Sequence, residues 1–274
     1  MAMTINTNIP SLNAQRNLAG TQTVVQTALQ RLSSGLRVNS AKDDAAGIAI
    51  ASTLDAQARG MAQALRNVND GISMVQTAEG ALSTMGDILQ RMRELAVQGA
   101  NNGTDDATIG GNLDAEYQEL NLELTRITDA TKFNGISLIN GDYSDILFQV
   151  GANDQSEDQI DVLFADASNY IASGDVQSQS ASVDEITAMD ASITLLAADR
   201  ALIGAALNRL QFAATNLQTS YENTKAGYGR IMDADFAVET ANLTRGQVLQ
   251  QAGTAMLAQA NSAPQGVLAL MKNL

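Results

Sequence analysis

The residues able to do chemistry in this chain are carboxylates, hydroxyls and a few cationic side chains: 30 Asp and Glu and 16 Lys and Arg, with no His and no Cys. Without imidazole or thiol there is no zinc site of the usual ligand types, no thiolate nucleophile and no imidazole general base. A Ser–Lys pair or two facing carboxylates are the catalytic arrangements that remain, and no stretch resembles either. No catalytic residue, metal or cofactor is expected. The formal charge of −14 leaves no basic face for phosphate, so nucleic acid is not expected as a partner. Lack of Cys also removes disulfides, and stability has to come from packing or assembly.

The carboxylates are unevenly placed. None precedes Asp43 and none follows Glu239. Both ends are instead rich in Asn, Gln, Thr and Ala, with a few Arg and Lys. A subunit whose ends pack into a crowded interior while its middle faces water has this distribution. No segment is long and apolar enough to span a membrane. Met1 to Leu18 is polar and lacks the charged and apolar regions of a secretory signal, so export is expected to use another route.

The elements that position these residues are helices. Hydrophobic residues make up 45% of the chain but aromatics only 4%, with no Trp and 2 Pro, which suits thin helix-on-helix interfaces rather than thick layered cores. Leu18, Val25, Leu29, Leu32 and Leu36 recur at helical spacing. After an interruption at Asn39-Ser40 and Asp43-Asp44, Met61, Leu65, Val68, Ile72, Val75, Ala78, Leu82, Met85, Leu89, Met92 and Leu95 form one apolar stripe near the coiled-coil period. Unbroken from Asp44 to Gln98, that helix would be roughly 80 Å long at 1.5 Å per residue. Gly99 to Gly103 supplies a turn, and Leu113, Tyr117, Leu120, Leu124 and Ile127 predict a third helix.

The period then changes to two. Asn134-Gly135 and Asn140-Gly141 are turn signals, and Ile146, Phe148, Val150 alternate, as do Ile160, Val162, Phe164, which predicts a small β-hairpin region from about Phe133 to Phe164. Ala165 to Ser182 reads as a short Ser-, Asp- and Gln-rich connector. A fourth helix carries Met189, Ile193, Leu196, Ile203, Leu207, Leu210, Ala214, Leu217 and Tyr221, with Arg200 alone breaking the stripe. A last amphipathic segment runs from Ala234 onward, with Pro264 expected to kink it.

The fold class expected is therefore mainly α: long antiparallel coiled-coil helices forming a rod, a small β-hairpin region, and N- and C-terminal helices paired as an inner-core domain. The divisions are 1–45 for the N-terminal core helix and linker, 46–164 for rod helices and hairpin, 165–182 for the connector, 183–230 for the last rod helix and 231–274 for the C-terminal core helix. The three central helices can bury their stripes in one another. The end segments have no local partner. Pairing them antiparallel covers one face of each and leaves Leu18, Val25, Leu29, Leu32, Leu249, Met256, Leu257 and Leu268 as the residues to be buried at seams and subunit contacts. A fully buried Leu or Val contributes about 1.5–3 kcal/mol, so a repeated interface of such residues favours a polymer of the chain with itself.

Several runs resemble the bacterial flagellins: Arg31-Leu32-Ser33-Ser34-Gly35-Leu36-Arg37-Val38-Asn39-Ser40-Ala41-Lys42-Asp43-Asp44-Ala45-Ala46-Gly47, Leu89 to Gln98, Phe133-Asn134-Gly135, Phe148 to Asn153, Gly204 to Leu210, Arg230 to Asp235 and Leu257 to Asn261. The resemblance covers nearly the whole chain outside residues 165–182. It implies a helical homopolymer, with terminal helices in an inner tube, a linker near residues 34–46, and no large variable outer domain. It further implies a secreted, extracellular subunit exported by the flagellar type III apparatus, a chaperone on the C-terminal segment, and filament-cap and hook-junction proteins as partners. Arg91, Leu95 and Glu116 match positions by which some flagellins engage Toll-like receptor 5. Because some flagellins are O-glycosylated on exposed hydroxyls, Ser168, Ser173, Ser178, Ser180 and Ser182 are candidate acceptors.

Overall fold

A computed structural model describes residues 7–101, 107–143 and 145–272, with the side chains of 107, 108 and 264–272 left aside. The elements are α1 (Ile9–Ser34), α2 (Ala45–Gly99), α3 (Ala107–Ala130), β1 (Lys132–Phe133), β2 (Ile136–Ser137), β3 (Asp145–Gln149), β4 (Gln159–Leu163), α4 (Gln179–Met232) and α5 (Phe236–Lys272). They fall into two compact units. Met1–Ala56 with Thr224–Leu274 form one, here the end unit, and Gln57–Asn223 form the other, the middle unit.

In the middle unit the expected stripes face a shared core. Val68, Val75, Ala78, Leu82, Met85, Leu89, Met92 and Leu95 of α2 are buried with Leu113, Tyr117, Leu124 and Ile127 of α3 and Met189, Leu196, Ile203, Leu210 and Leu217 of α4. α2 and α4 run antiparallel, as Arg93 meets Asp190 and Glu79 meets Arg200. That second contact explains the break in the α4 stripe. Arg200 Nε and Nη2 both donate to Glu79 Oε1, at 3.0 and 2.7 Å, so the cation is matched across the interface.

The period-two segments form two antiparallel pairs, β1–β2 and β3–β4. Asn134 and Gly135 both have positive φ, 48° and 82°, the geometry of the tight turn that Asn-Gly favours between paired strands. In the longer pair Ile146 opposes Val162 and Phe148 opposes Ile160. This inner face joins the core, with Phe148 seated directly against Gly71 of α2.

The end unit is built differently. Asp44 caps α2 by accepting from Gly47 N–H at 2.7 Å, and Asn8 caps α1 by accepting from Ser11 N–H at 3.1 Å, each satisfying an orphan donor of the first turn. Arg37 N–H donates to Met232 C=O and Ala234 N–H donates to Gly35 C=O. These two bonds clip the link between α1 and α2 to the link between α4 and α5. α5 continues across position 264 to Lys272 as a single helix.

Candidate assembly surface

α1 and α5 lie antiparallel along their length. Asn8 Nδ2 donates to Ala260 C=O at 2.8 Å and Ser11 Oγ to Asn261 Oδ1 at 2.7 Å. Leu18 packs on Gly253 and Val25 on Gly246, and Arg31 pairs with Glu239 at 2.9 Å. Val25 sits so near that a Cβ at Gly246 would lie 2.6 Å from its Cγ2, a contact only glycine permits. Glu239 is the sole carboxylate on these two helices, and it is buried against its cation. The acid-free character of the ends thus holds at the seam itself.

Of the eight apolar positions expected on the end helices, Leu18, Val25, Leu32 and Leu257 are half-buried along this seam. Leu29, Leu249 and Met256 are 50%, 52% and 64% exposed. Leu268 lies outside the residues whose side chains are described. Ile9, Leu12, Val24, Val238 and Val248, not singled out by their spacing, are also exposed. The buried apolar side chains of the whole end unit, among the described residues, are Ala28, Val38 and Ala51. Two adjoining grooves, about 520 and 380 Å³, open between the helices and share Asn17, Thr21 and Leu249. Arg16 and Arg245 line the larger one. Apolar side chains thus flank an open, acid-free groove, a lining suited to contact with apolar surface rather than to chemistry.

The other candidates lie in the middle unit. Arg91 Nε and Nη2 donate to Glu116 Oε1 at 2.9 and 2.7 Å, and Nη1 to Glu94 at 3.1 Å, all exposed. Leu95 is not on that surface. It is 1% exposed, turned into the α2–α3–α4 core as a member of the apolar stripe, and this corrects its expected place among surface residues. Ser168, Ser173, Ser178 and Ser180 are exposed, whereas Ser182 is fully buried. Its Oγ donates to Ser178 C=O at 2.8 Å and packs on Gly99, so it is no acceptor in the folded chain. Ser178 Oγ accepts from Ala181 N–H at 3.3 Å and so caps α4.

The connector also differs from its composition. Tyr170 and Val176 are buried in the core, and α3 straps the segment down. Asn121 donates to Ala172 C=O at 2.7 Å and Gln118 to Gly174 C=O at 3.0 Å. Asp114 accepts from Val176 N–H at 3.2 Å and from Gln177 Nε2 at 2.8 Å. Burial works to raise the Asp114 carboxyl, but the Gln177, Gln118 and Val176 donors outweigh it and hold the group below the usual aspartate range. Beside it the Tyr117 hydroxyl donates to Glu185 at 2.5 Å. Burial, then that carboxylate, pushes the phenol well above its ordinary value.

Residues 5–144 match the bacterial flagellin N-terminal helical region and residues 186–271 the bacterial flagellin C-terminal helical region. A flagellin of Halalkalibacterium halodurans is 43% identical over 273 residues, spanning 98% of this chain and 100% of the relative. The chain belongs to the bacterial flagellin family. The flagellin of Bacillus subtilis is 38% identical over 304 aligned residues, covering 98% of this chain and 100% of its own. The crystal structure of Bacillus cereus flagellin superposes with a TM-score of 0.51 at 34% identity, over 56% of this chain and 88% of that one. As a flagellin, this protein is a structural subunit of the extracellular flagellar filament and not an enzyme. Among the described residues no helix is long and apolar enough to cross a membrane.

Proposed function

We propose that the paired helices α1 and α5 are the part of this flagellin that is buried between subunits when the chain polymerises into the filament used for swimming. The observation that carries this reading is the exposure of Leu29, Leu249 and Met256 along a helix pair on which, among the described residues, Ala28 is the one fully buried apolar side chain. Each such residue contributes about 1.5–3 kcal/mol when fully covered. Repetition over a helical lattice makes the sum large. In this reading residues 1–45 and 231–274 form the assembling ends, and 46–164 with 183–230 form the body that carries the acidic surface. The chain leaves the cell through the flagellar type III apparatus, a chaperone covers the exposed face of α5 beforehand, and subunits add under a cap on a base of hook-junction proteins.

The test is assembly of full-length and shortened protein. Long filaments seeded by ammonium sulfate are expected from the whole chain. Removal of the residues after Gly253 should leave soluble monomer with a folded middle unit. Filaments from the shortened chain would show that α5 is not the assembling surface.

Recognition by Toll-like receptor 5 would draw on the exposed Arg91–Glu116 pair, with Leu95 shaping α2 from beneath rather than touching the receptor. Reporter cells should respond to wild-type monomer and lose response with Arg91→Ala; no response at saturating monomer ends that reading.

A further inference from the structure

The middle unit carries the same reactive dipeptide at two described turns, Asn134-Gly135 and Asn140-Gly141, and folds the two differently. A third, Asn102-Gly103, lies outside the described residues. In such a pair the glycine backbone nitrogen can reach the carbonyl carbon of the asparagine side chain, because no Cβ on the glycine stands in the way. The rate depends on whether the asparagine amide is free to turn towards that nitrogen and whether the nitrogen can give up its proton. At the first turn neither is hindered. Asn134 and Gly135 are both exposed, and a Cβ built on Gly135 would meet nothing within 4 Å. Among the described residues no hydrogen bond engages the Asn134 side chain or the Gly135 N–H. The strands on either side pair over two positions, Lys132 with Ser137 and Phe133 with Ile136, so a local opening that lets the turn rearrange breaks few bonds.

The second turn is held. Asn140 Nδ2 donates to Asp142 Oδ2 at 2.6 Å, and Asn140 Oδ1 accepts from Asp142 N–H at 3.2 Å. Both polar atoms of the amide are therefore committed to residue 142. The backbone of Asn140 is bridged to Asp166, and a Cβ at Gly141 would lie 3.0 and 3.1 Å from the two Asp166 carboxylate oxygens. A carboxylate so near opposes the negative charge that the Gly141 nitrogen would have to take on.

We propose that Asn134 is a site of self-modification, converted in the folded chain to isoaspartate and aspartate, and that Asp142 and Asp166 protect Asn140 from the same reaction. The Gly135 nitrogen loses its proton to solvent base and bonds to Asn134 Cγ. The Cγ–Nδ2 bond then breaks and that nitrogen leaves as ammonia, which closes a five-membered succinimide. Water adds to either ring carbonyl and opens the ring to a carboxylic acid. No electrons are transferred, and the net reaction consumes one water and releases one ammonia. Each event adds one negative charge. Opening to isoaspartate also inserts a methylene into the main chain of a two-residue turn, which displaces Phe133 from its register with Ile136. The change is one-way, so the modified share grows with the age of the subunit.

The experiment incubates full-length monomer in warm, mildly alkaline buffer and follows each Asn-Gly site by peptide mapping, with isoaspartate and aspartate products separated by chromatography and mass spectrometry. A parallel sample is kept unfolded in guanidinium chloride, and Asp142→Ala is treated alongside after its circular dichroism is matched to wild type. In the folded chain Asn134 should convert roughly fivefold or more faster than Asn140, the scale that one hydrogen bond to a carboxylate can hold back. In guanidinium chloride the two rates should converge. Asp142→Ala should raise the Asn140 rate severalfold and leave Asn134 unmoved. Equal rates at the two sites in the folded chain overturn the proposal. So does an Asn134 that stays intact while the unfolded chain converts, and an Asn140 rate that Asp142→Ala does not change overturns the protection assigned to Asp142.

Discussion

The two units use the same material, amphipathic helices poor in aromatics, to opposite ends. The middle unit turns its stripes inward, and Leu82, Met85, Leu89 and Met92 have no exposed surface. The end unit pairs two helices and leaves their outer leucines in water. Two helices can cover only one face of each other, whereas three helices and a sheet can enclose a core. The contrast shows that helical periodicity marks which face is apolar but not what covers it. The count of neighbouring elements within the chain decides whether a stripe becomes a core or a docking surface.

The contrast can be broken most sharply in the core. Leu82→Ala should cost the monomer about 2–5 kcal/mol, since it opens a cavity in a fully packed site, read as a shift in chemical denaturation. At the seam, Gly246→Ala places a methyl against Val25 and should destabilise the α1–α5 pairing by about 1–3 kcal/mol, read by hydrogen exchange in both helices. Arg31→Ala, which leaves the buried Glu239 carboxylate unmatched, should loosen the same pairing by about 1–2 kcal/mol after allowance for the partly exposed cation, and Glu239→Gln should recover part of it. Acid should act on the middle unit through Asp114. Its folded carboxyl lies below the usual range, so its contribution is present above the unfolded aspartate value and is lost as pH falls through the folded one. A melting series descending below pH 4 should therefore show the connector releasing, with Asp114→Asn flattening that drop. The smallest effect belongs to Leu29→Ala, expected within about 0.5 kcal/mol of wild type as monomer yet slower to polymerise. A large loss of monomer stability there would mean that the end unit does have a core of its own.

Much of the architecture was legible in advance. The stripes of α2, α3 and α4 and the alternation of β3 and β4 reappear in the core or packed against it, Tyr221 excepted, because burial on one face leaves a periodic trace. The Asn134-Gly135 turn was readable from its chemistry. The strap over residues 172–177 was not. Gln118 and Asn121 hold backbone carbonyls, and such bonds leave no pattern in residue type. Ser182 looked like a surface serine because composition describes a segment and not a position. Leu95 had two readings, one as a stripe residue and one by resemblance, and packing decided for the stripe. The exposed Leu195 and Leu202 of α4 were hidden by the helix's own inner stripe, since they sit beside the buried Leu196 and Ile203 and blur the period.

The clasp between Asn8 and Ala260 joins residues 252 apart in sequence. Closing so long a loop costs roughly 5 kcal/mol of chain entropy, somewhat more than the roughly 4 kcal/mol for the 121-residue span that joins Glu79 to Arg200 in the middle unit. On a growing chain α1 is finished well before α5 exists, and it can only wait. The groove that needs both helices therefore cannot exist until the last helix of the chain has been made. Pairing distant segments in this way acts as a clock: the chain cannot present its joint docking face early, when a half-made subunit would otherwise be able to stick to its neighbours.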